Sequence, residues 1–396
     1  MTNTIIITLC ALLLFAYLFD ITSSKTKIPA VILLLTLGVV VRQASDYLGI
    51  HIPNLSPILP ILGTVGLILI VLEGALELQL NKSKIPVVVK SLSIAILPIL
   101  ILSFGLAYAF QYFTGSSIRI SLTNAIPLAI ISSAIAIPSA RNLSAGNKEF
   151  ITYESSWSDI FGVIFFNFVT FNDTIDNGTF GHFFLELLIM LVVSFVATLA
   201  LSYFLHKITH HIKFVPIILF VIFIYAIAKE YNLPALIFIL FFGLLITNIQ
   251  RLRFIPFIQQ FHPADFKNEI HKFSEITVEM AFLVRALFFL LFGYLIEINE
   301  VLNPESFVWA ISIVVGILIL RFIFLKIFRL ETNPLVFIAP RGLITILVFM
   351  SIPEAKHIAI ASNSLVIQII LLTAFIMMLG LMFYKQEKRE ESEEKI

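Results

Sequence analysis

The chain has 396 residues, of which 59% are hydrophobic and only 13% charged, and its formal net charge is +1. Apolar stretches of roughly 20 residues, each able to cross a bilayer, recur along it, which makes it an all-α polytopic membrane protein. The charge balance offers nothing to nucleic acid, and the single cysteine, Cys10, excludes an intrachain disulfide or a cysteine-built metal site.

The N-terminal stretch MTNTIIITLCALLLFAYLFD lacks a basic leader and a small-residue cleavage site, so it reads as the first span and not as a signal peptide. Polar, Pro and Gly punctuation then places spans near 2–20, 28–43, 57–77, 86–113, 118–140, 151–172 and 181–206. Six more follow near 213–229, 233–249, 269–296, 305–328, 333–351 and 363–384, giving thirteen. The connector 250–268 is expected to lie on the membrane surface as an amphipathic segment, and 386–396 to be a short solvated tail.

Cytoplasmic loops collect Lys and Arg. The loops after odd-numbered spans, with the tail, hold nineteen basic residues against four after even-numbered spans; Arg285, Arg321 and Arg341 inside spans complete the 26. This asymmetry puts the N-terminus outside and the C-terminus in the cytoplasm. A prokaryotic cytoplasmic membrane is the expected location.

The fifth span carries IISSAIAIPSA and the twelfth FIAPRGLI. Pro138 in one, and Pro340 with Gly342 in the other, should break the backbone near mid-membrane. With the seventh span as a connector, both breaks fall on the fifth helix of a six-helix repeat, and the two repeats run in opposite directions. Paired broken helices in two inverted halves mark the substrate site of a secondary transporter.

ESSWSD, residues 154–159, opens the sixth span. From a helix start at 151, Asp159 is expected about 12 Å along the helix at about 1.5 Å per residue. An ionisable group at depth normally faces a cavity and marks an ion or proton path. Ser155 and Asp159 share one helical face, and Glu154 and Ser158 form a neighbouring pair. Carboxylate and hydroxyl oxygens suit a hard monovalent cation, and the same carboxylate binds a proton. If Asp159 holds one or the other, exchange follows by mass action.

Other charges within spans need partners. Arg321 lies at a depth similar to Asp159 and is a candidate partner for Glu154, the alternative being that it snorkels to the interface. Arg341 can neutralise helix-end carbonyls facing the broken fifth span. Arg285 needs a partner too; Glu279, six residues away on the same helix, is a long reach, and the pairing stays open. Glu73 in VLEGALEL reads as sitting near the cytoplasmic end of the third span, not on the path. His206, His210 and His211 in HKITHH have metal-compatible spacing but read as a wet helix end.

These residues resemble the monovalent cation/proton antiporter superfamily, in its NhaP and Na⁺/H⁺ exchanger branch. The resemblance runs through IPAVILLLTLGVVV, GLILIVLEGALEL, ESSWSD, FFLLFG, ILILRFIF and APRGLI. In that branch the sixth helix carries Glu-Ser-x-x-Asn-Asp; here Glu154, Ser155 and Asp159 match, and Ser158 replaces the Asn. The resemblance therefore implies Asp159 as the cation/proton carboxylate, Ser155 as a supporting ligand, Glu154 as a structural glutamate paired with Arg321, and Arg341-Gly342 as the helix-12 Arg-Gly. One departure is marked: the Thr-Asp-Pro usual in the broken fifth helix has no acidic counterpart between Arg119 and Glu149, leaving Ser132, Ser133 and freed carbonyls as local replacements.

The resemblance implies an NhaA/NhaP-like fold in a single transmembrane domain, 1–385. Its scaffold is helices 1–3 and 7–10 (about 1–80 and 181–298), and its transport core helices 4–6 and 11–13 (about 86–172 and 305–384). It also implies a homodimer among membrane lipids, no cofactor, no metal beyond the transported ion, and no enzymatic activity. The expected function is exchange of a monovalent cation, Na⁺ first with Li⁺ and K⁺ open, for H⁺. Because members of that branch with an uncharged residue before the essential Asp carry out one-for-one exchange, the resemblance, with Ser158 before Asp159, implies electroneutral exchange. A K⁺/H⁺ antiporter or a cation channel is the nearest alternative, and a polytopic membrane enzyme a more distant one, since no cluster of acids or histidines lies at a membrane face.

Overall fold

In a computed structural model the structure describes residues 2–49, 55–78, 84–172, 177–207, 214–231, 233–249 and 263–384. His210, His211, residues 250–262 and the tail 385–396 lie outside the described residues, as does the side chain of His206. Among the described residues every regular element is a helix. The helices are α1 (Thr2–Thr26), α2 (Ala30–Tyr47), α3 (Ile58–Glu77), α4 (Ile85–Thr114), α5 (Ile118–Ala129), α6 (Ser133–Ser139) and α7 (Ala145–Phe171). They continue as α8 (Asn177–Lys207), α9 (Phe214–Glu230), α10 (Ala235–Thr247), α11 (Pro263–Leu295), the single turn α12 (Ile298–Val301), α13 (Pro304–Ile327), α14 (Leu343–Met350) and α15 (Asn363–Phe383).

Taking α5 with α6 as one broken span, and the 3-10 turn Leu335–Phe337 with α14 as another, these elements follow the thirteen expected spans in order. Among the described residues eight helices are long and apolar enough to cross a membrane. The helix α7 is not one of them because its first half, with ESSWSD, is polar. Side-chain caps set several helix starts: Ser117 accepts from Ile120 N, Ser144 from Asn147 N, and Ser362 from Leu365 N, each meeting one orphan amide of a first turn.

The Ser144 cap corrects one expectation. Helix α7 begins at Ala145, six residues before the expected 151, so Asp159 lies in the middle of a 27-residue helix, about 21 Å from its start. A second correction concerns Pro138. The fifth span breaks at Ile130–Ser132, and Pro138 sits harmlessly in the last turn of α6. There its missing amide removes only one bond of a seven-residue helix, whereas the amides freed at 131 and 132 find tertiary partners.

The helices pack in two groups. In one, α4 lies against α5 and α7, and α13 against α15 and α4; in the other, α11 lies against α2 and α3, and α10 against α3 and α8. The second group is welded by backbone proximity. A Cβ on Gly38 of α2 would stand 2.6 Å from Tyr294 N, and one on Gly293 of α11 2.9 Å from Leu35 Cα, so each glycine lets the other helix approach. The groups meet where α3 faces α6, α7 and α14.

Candidate ion site at the crossing of two broken helices

The two breaks touch. Ser132 N, in the extended residues between α5 and α6, donates to Pro340 O in the break before α14, at 2.8 Å. Ile131 N donates to Ser158 Oγ at 2.8 Å. These bonds replace the i to i−4 ladder that each helix gives up, so non-helical backbone persists at depth because it is buried in protein.

Asp159 is aimed at this crossing. Ser133 N donates to its Oδ2 at 3.2 Å, and Ser133 Oγ donates to the same oxygen. Its Oδ1 is buried and has no hydrogen-bond partner among the described residues, and the same holds for Ser132 Oγ. Asp159, Ser132 and Ser133 are each at most 2% exposed. A carboxylate oxygen and a hydroxyl oxygen with open lone pairs, beside freed backbone, form an oxygen-donor set of the kind that suits a hard cation or a proton.

Glu154 and Ser155, one turn back on α7, play different parts. Glu154 is bound by Arg321 of α13 through both guanidinium nitrogens, Nη2 donating to Oε2 at 2.8 Å, while Arg321 Nε donates to Leu335 O. The pair is nearly dry, at 1% and 4% side-chain exposure. Ser155 Oγ donates back to Ile151 O at 2.7 Å, so only its oxygen lone pairs remain for a ligand.

Arg341 holds the end of α5. Its Nε donates to Leu128 O and its Nη2 to Ala129 O, both at 3.0 Å, and its Nη1 to Ala339 O at 2.7 Å. A guanidinium on the last carbonyls of a half-helix offsets the negative end of its dipole where water cannot. Thr373 Oγ1 of α15 accepts from Arg341 N at 3.0 Å and fixes the backbone that carries it. Gly342 is needed for space, since a Cβ there would meet Ile135 Cδ1 at 2.6 Å and Ser132 Oγ at 3.0 Å.

Arg285 stands apart from this constellation. It is buried on α11 in the second helix group and lines a cavity together with Asp20, Ser23, Pro138 and Ser139. Glu73 of α3, also buried and with Oε2 lacking a hydrogen bond among the described residues, interacts electrostatically with Arg285. Glu73 lies four residues from the C-terminal end of α3, near the span end where the sequence places it, and the pairing of Arg285 with Glu279 stays open.

Sequence reasoning missed several groups that complete the site: the Pro340 carbonyl, the Leu335 carbonyl under Arg321, and Thr373. Two are backbone acceptors with no side-chain signal. Thr373 lies in an apolar stretch where a hydroxyl normally bonds its own helix, as its bond to Ile369 O does.

The family model described as sodium/hydrogen exchanger, transmembrane, matches residues 10–384. The solved structure of the sodium proton antiporter MjNhaP1 from Methanocaldococcus jannaschii at pH 8 is similar at a TM-score of 0.64 and 18% identity, covering 96% of each chain. The electron-microscopy map of the same antiporter gives a TM-score of 0.68 at 16% identity, over 98% of this chain and 100% of that one. No curated protein matches the chain.

Proposed function

The chain belongs to the sodium/hydrogen exchanger family, and from that premise we propose that it exchanges Na⁺ for H⁺ by letting the two ions compete for Asp159. Cation/proton exchange across a membrane is what the family and the antiporter fold support together. The observation that carries the finer reading is the asymmetry of Asp159: one oxygen is held by Ser133, and the other is buried without a partner beside the free hydroxyl of Ser132. An ionised carboxylate left so at mid-membrane is costly, so it stays charged only with a cation bound and otherwise takes a proton.

In this reading the first helix group is a transport core, about 86–172 and 305–384, and the second a scaffold, about 1–80 and 181–298. The core carries Asp159 between the two sides by sliding along α3. The Glu154–Arg321 pair and the Arg341 cap keep the crossing rigid while it moves, and Ser155 adds an oxygen to the cation's shell. With Ser158 uncharged and no acid in the fifth span, one cation replaces one proton and no net charge crosses. The N-terminus is outside, the C-terminus cytoplasmic, and the scaffold faces its copy in a homodimer.

The test is cation-dependent proton flux in reconstituted vesicles for Na⁺, Li⁺ and K⁺. Na⁺ is expected to drive flux, Asp159→Asn to abolish it while the protein stays folded, and an imposed membrane potential to leave the rate unchanged. Undiminished flux in Asp159→Asn removes that residue from the mechanism, and flux that carries current without a proton gradient replaces exchange with a channel.

A further inference from the structure

The two helix groups are tied across a cleft by charges that the exchange reaction does not use. Arg141, just after α6, donates Nη1 to Asp20 Oδ2 of α1 at 2.9 Å. Lys27 Nζ, in the α1–α2 linker, donates to Tyr384 O at the end of α15 at 3.0 Å. Below these ties runs a cleft of about 200 Å³ lined by Ser23, Pro29, Pro138, Ser139 and Leu381. It continues into the smaller cavity shared by Asp20 and Arg285. The cleft thus separates the first group, through α6 and α15, from the second, through α1, α2 and α11.

Arg141 thus bonds Asp20, and Arg285 lines the cavity that Asp20 also lines. Arg141 belongs to the first group and holds Asp20 now. Arg285 belongs to the second, is 6% exposed, and makes no hydrogen bond or ion pair with any described residue. Arg285 is the strongest electrostatic neighbour of Glu73, followed by Glu77, Arg141 and Asp20. A buried guanidinium without a bonded partner is costly in one fixed structure, but not in a protein that supplies the partner in its other state.

We propose that Asp20 is a switched partner: it pairs with Arg141 while the cleft is open on this side, and with Arg285 once the core has moved away. The inference rests on the reading of the first group as a moving core and the second as a fixed scaffold. Asp20 and Arg285 are on the same scaffold and line one cavity, so their pairing needs no movement between the two helix groups, whereas the bond to Arg141 must break when the core leaves. Exchanging one guanidinium for another keeps the cost of the step small while giving each state its own latch. With side-chain exposures of 39% for Arg141 and 19% for Asp20, the open-state latch is partly screened. Its worth is then a shift of about fivefold in the ratio of the two states.

The test uses the full chain with Cys10 replaced by Ala and a single reporter, Ser139→Cys, which lines the cleft. Its rate of modification by a water-soluble thiol reagent reads the population of the state open on this side. Arg141→Gln is expected to slow labelling about fivefold, and Arg285→Gln to speed it by a similar factor, because Asp20 then has no competing partner. The double variant Arg141→Gln/Arg285→Gln should return near the starting rate, and Arg285→Lys, which keeps the charge, should leave it unchanged. Monodispersity of each variant on gel filtration confirms folding. If Arg285→Gln slows labelling or leaves it unmoved while Arg141→Gln slows it, the switch is wrong and Arg285 is merely structural. If cation and pH titration of the reporter protein itself never changes its labelling rate, the moving-core reading fails, and the switch with it.

Discussion

Replacing Glu154 by Gln leaves the Arg321 guanidinium charged, buried and facing a neutral amide. Both charges are almost fully shielded from solvent, so little screening softens the loss, and breaking such a pair costs about 3–5 kcal/mol. Arg321→Met costs a similar amount, because it strands Glu154 and also the Leu335 carbonyl that Arg321 Nε holds. The double replacement removes both charges and leaves mainly that carbonyl unmet, a penalty of about 1–3 kcal/mol. The two changes should therefore be strongly non-additive, with a coupling of about 5 kcal/mol. Reversible unfolding of the four proteins in mixed micelles, titrated with denaturant, measures it. Single-variant penalties that simply add, or a Glu154→Gln protein as stable as the original, would refute the view that this pair holds α7 to α13.

Arg341→Gln removes the donors on the Leu128 and Ala129 carbonyls and should destabilise the crossing by about 2–4 kcal/mol; faster amide hydrogen exchange at Ile131 and Ser132 would report it. Gly342→Ala drives a methyl group into Ile135 and should cost about 1–3 kcal/mol and most of the exchange activity. Adding Ile135→Val should restore part of both, and a failure of that rescue would show that space is not the reason for the glycine. Ser133→Ala deletes one donor that orients Asp159 and is expected to raise the cation KM of exchange by about fivefold to thirtyfold without unfolding the protein. Acidifying the cation-uptake side should raise the apparent cation KM about tenfold per pH unit while the proton holds the site, with the maximal rate unchanged, as competition for one carboxylate requires.

Much of this arrangement is legible in the sequence because the membrane makes charge conspicuous. Glu154, Asp159, Arg321 and Arg341 stand out in apolar runs, and the need for each to find a partner points from one to the next. The order of spans is legible for the same reason. The point at which the fifth span breaks is not, because IISSAIAIPSA holds a proline that looks like the cause, while the freed amides of Ile131 and Ser132 are met by Ser158 of α7 and by Pro340 in the break before α14. The start of α7 is not legible either, because the run from Ala145 to Glu149 is polar enough to read as loop, although Ser144 caps it as helix. Arg141 and Asp20, 121 positions apart, carry no local signal of their bond. Charged residues at span ends are ordinary, and only the fold, which brings Arg141 to Asp20 of α1, gives these two a meaning.

The central claim is that one carboxylate receives either ion, and proton release on cation binding tests it most directly. Purified protein in weakly buffered micelles, titrated with Na⁺ across a series of pH values, should release protons, rising to about one per cation bound where Asp159 is protonated beforehand. Asp159→Asn should release none. Cation binding with no proton release at any pH, or release that persists in Asp159→Asn, would contradict the account.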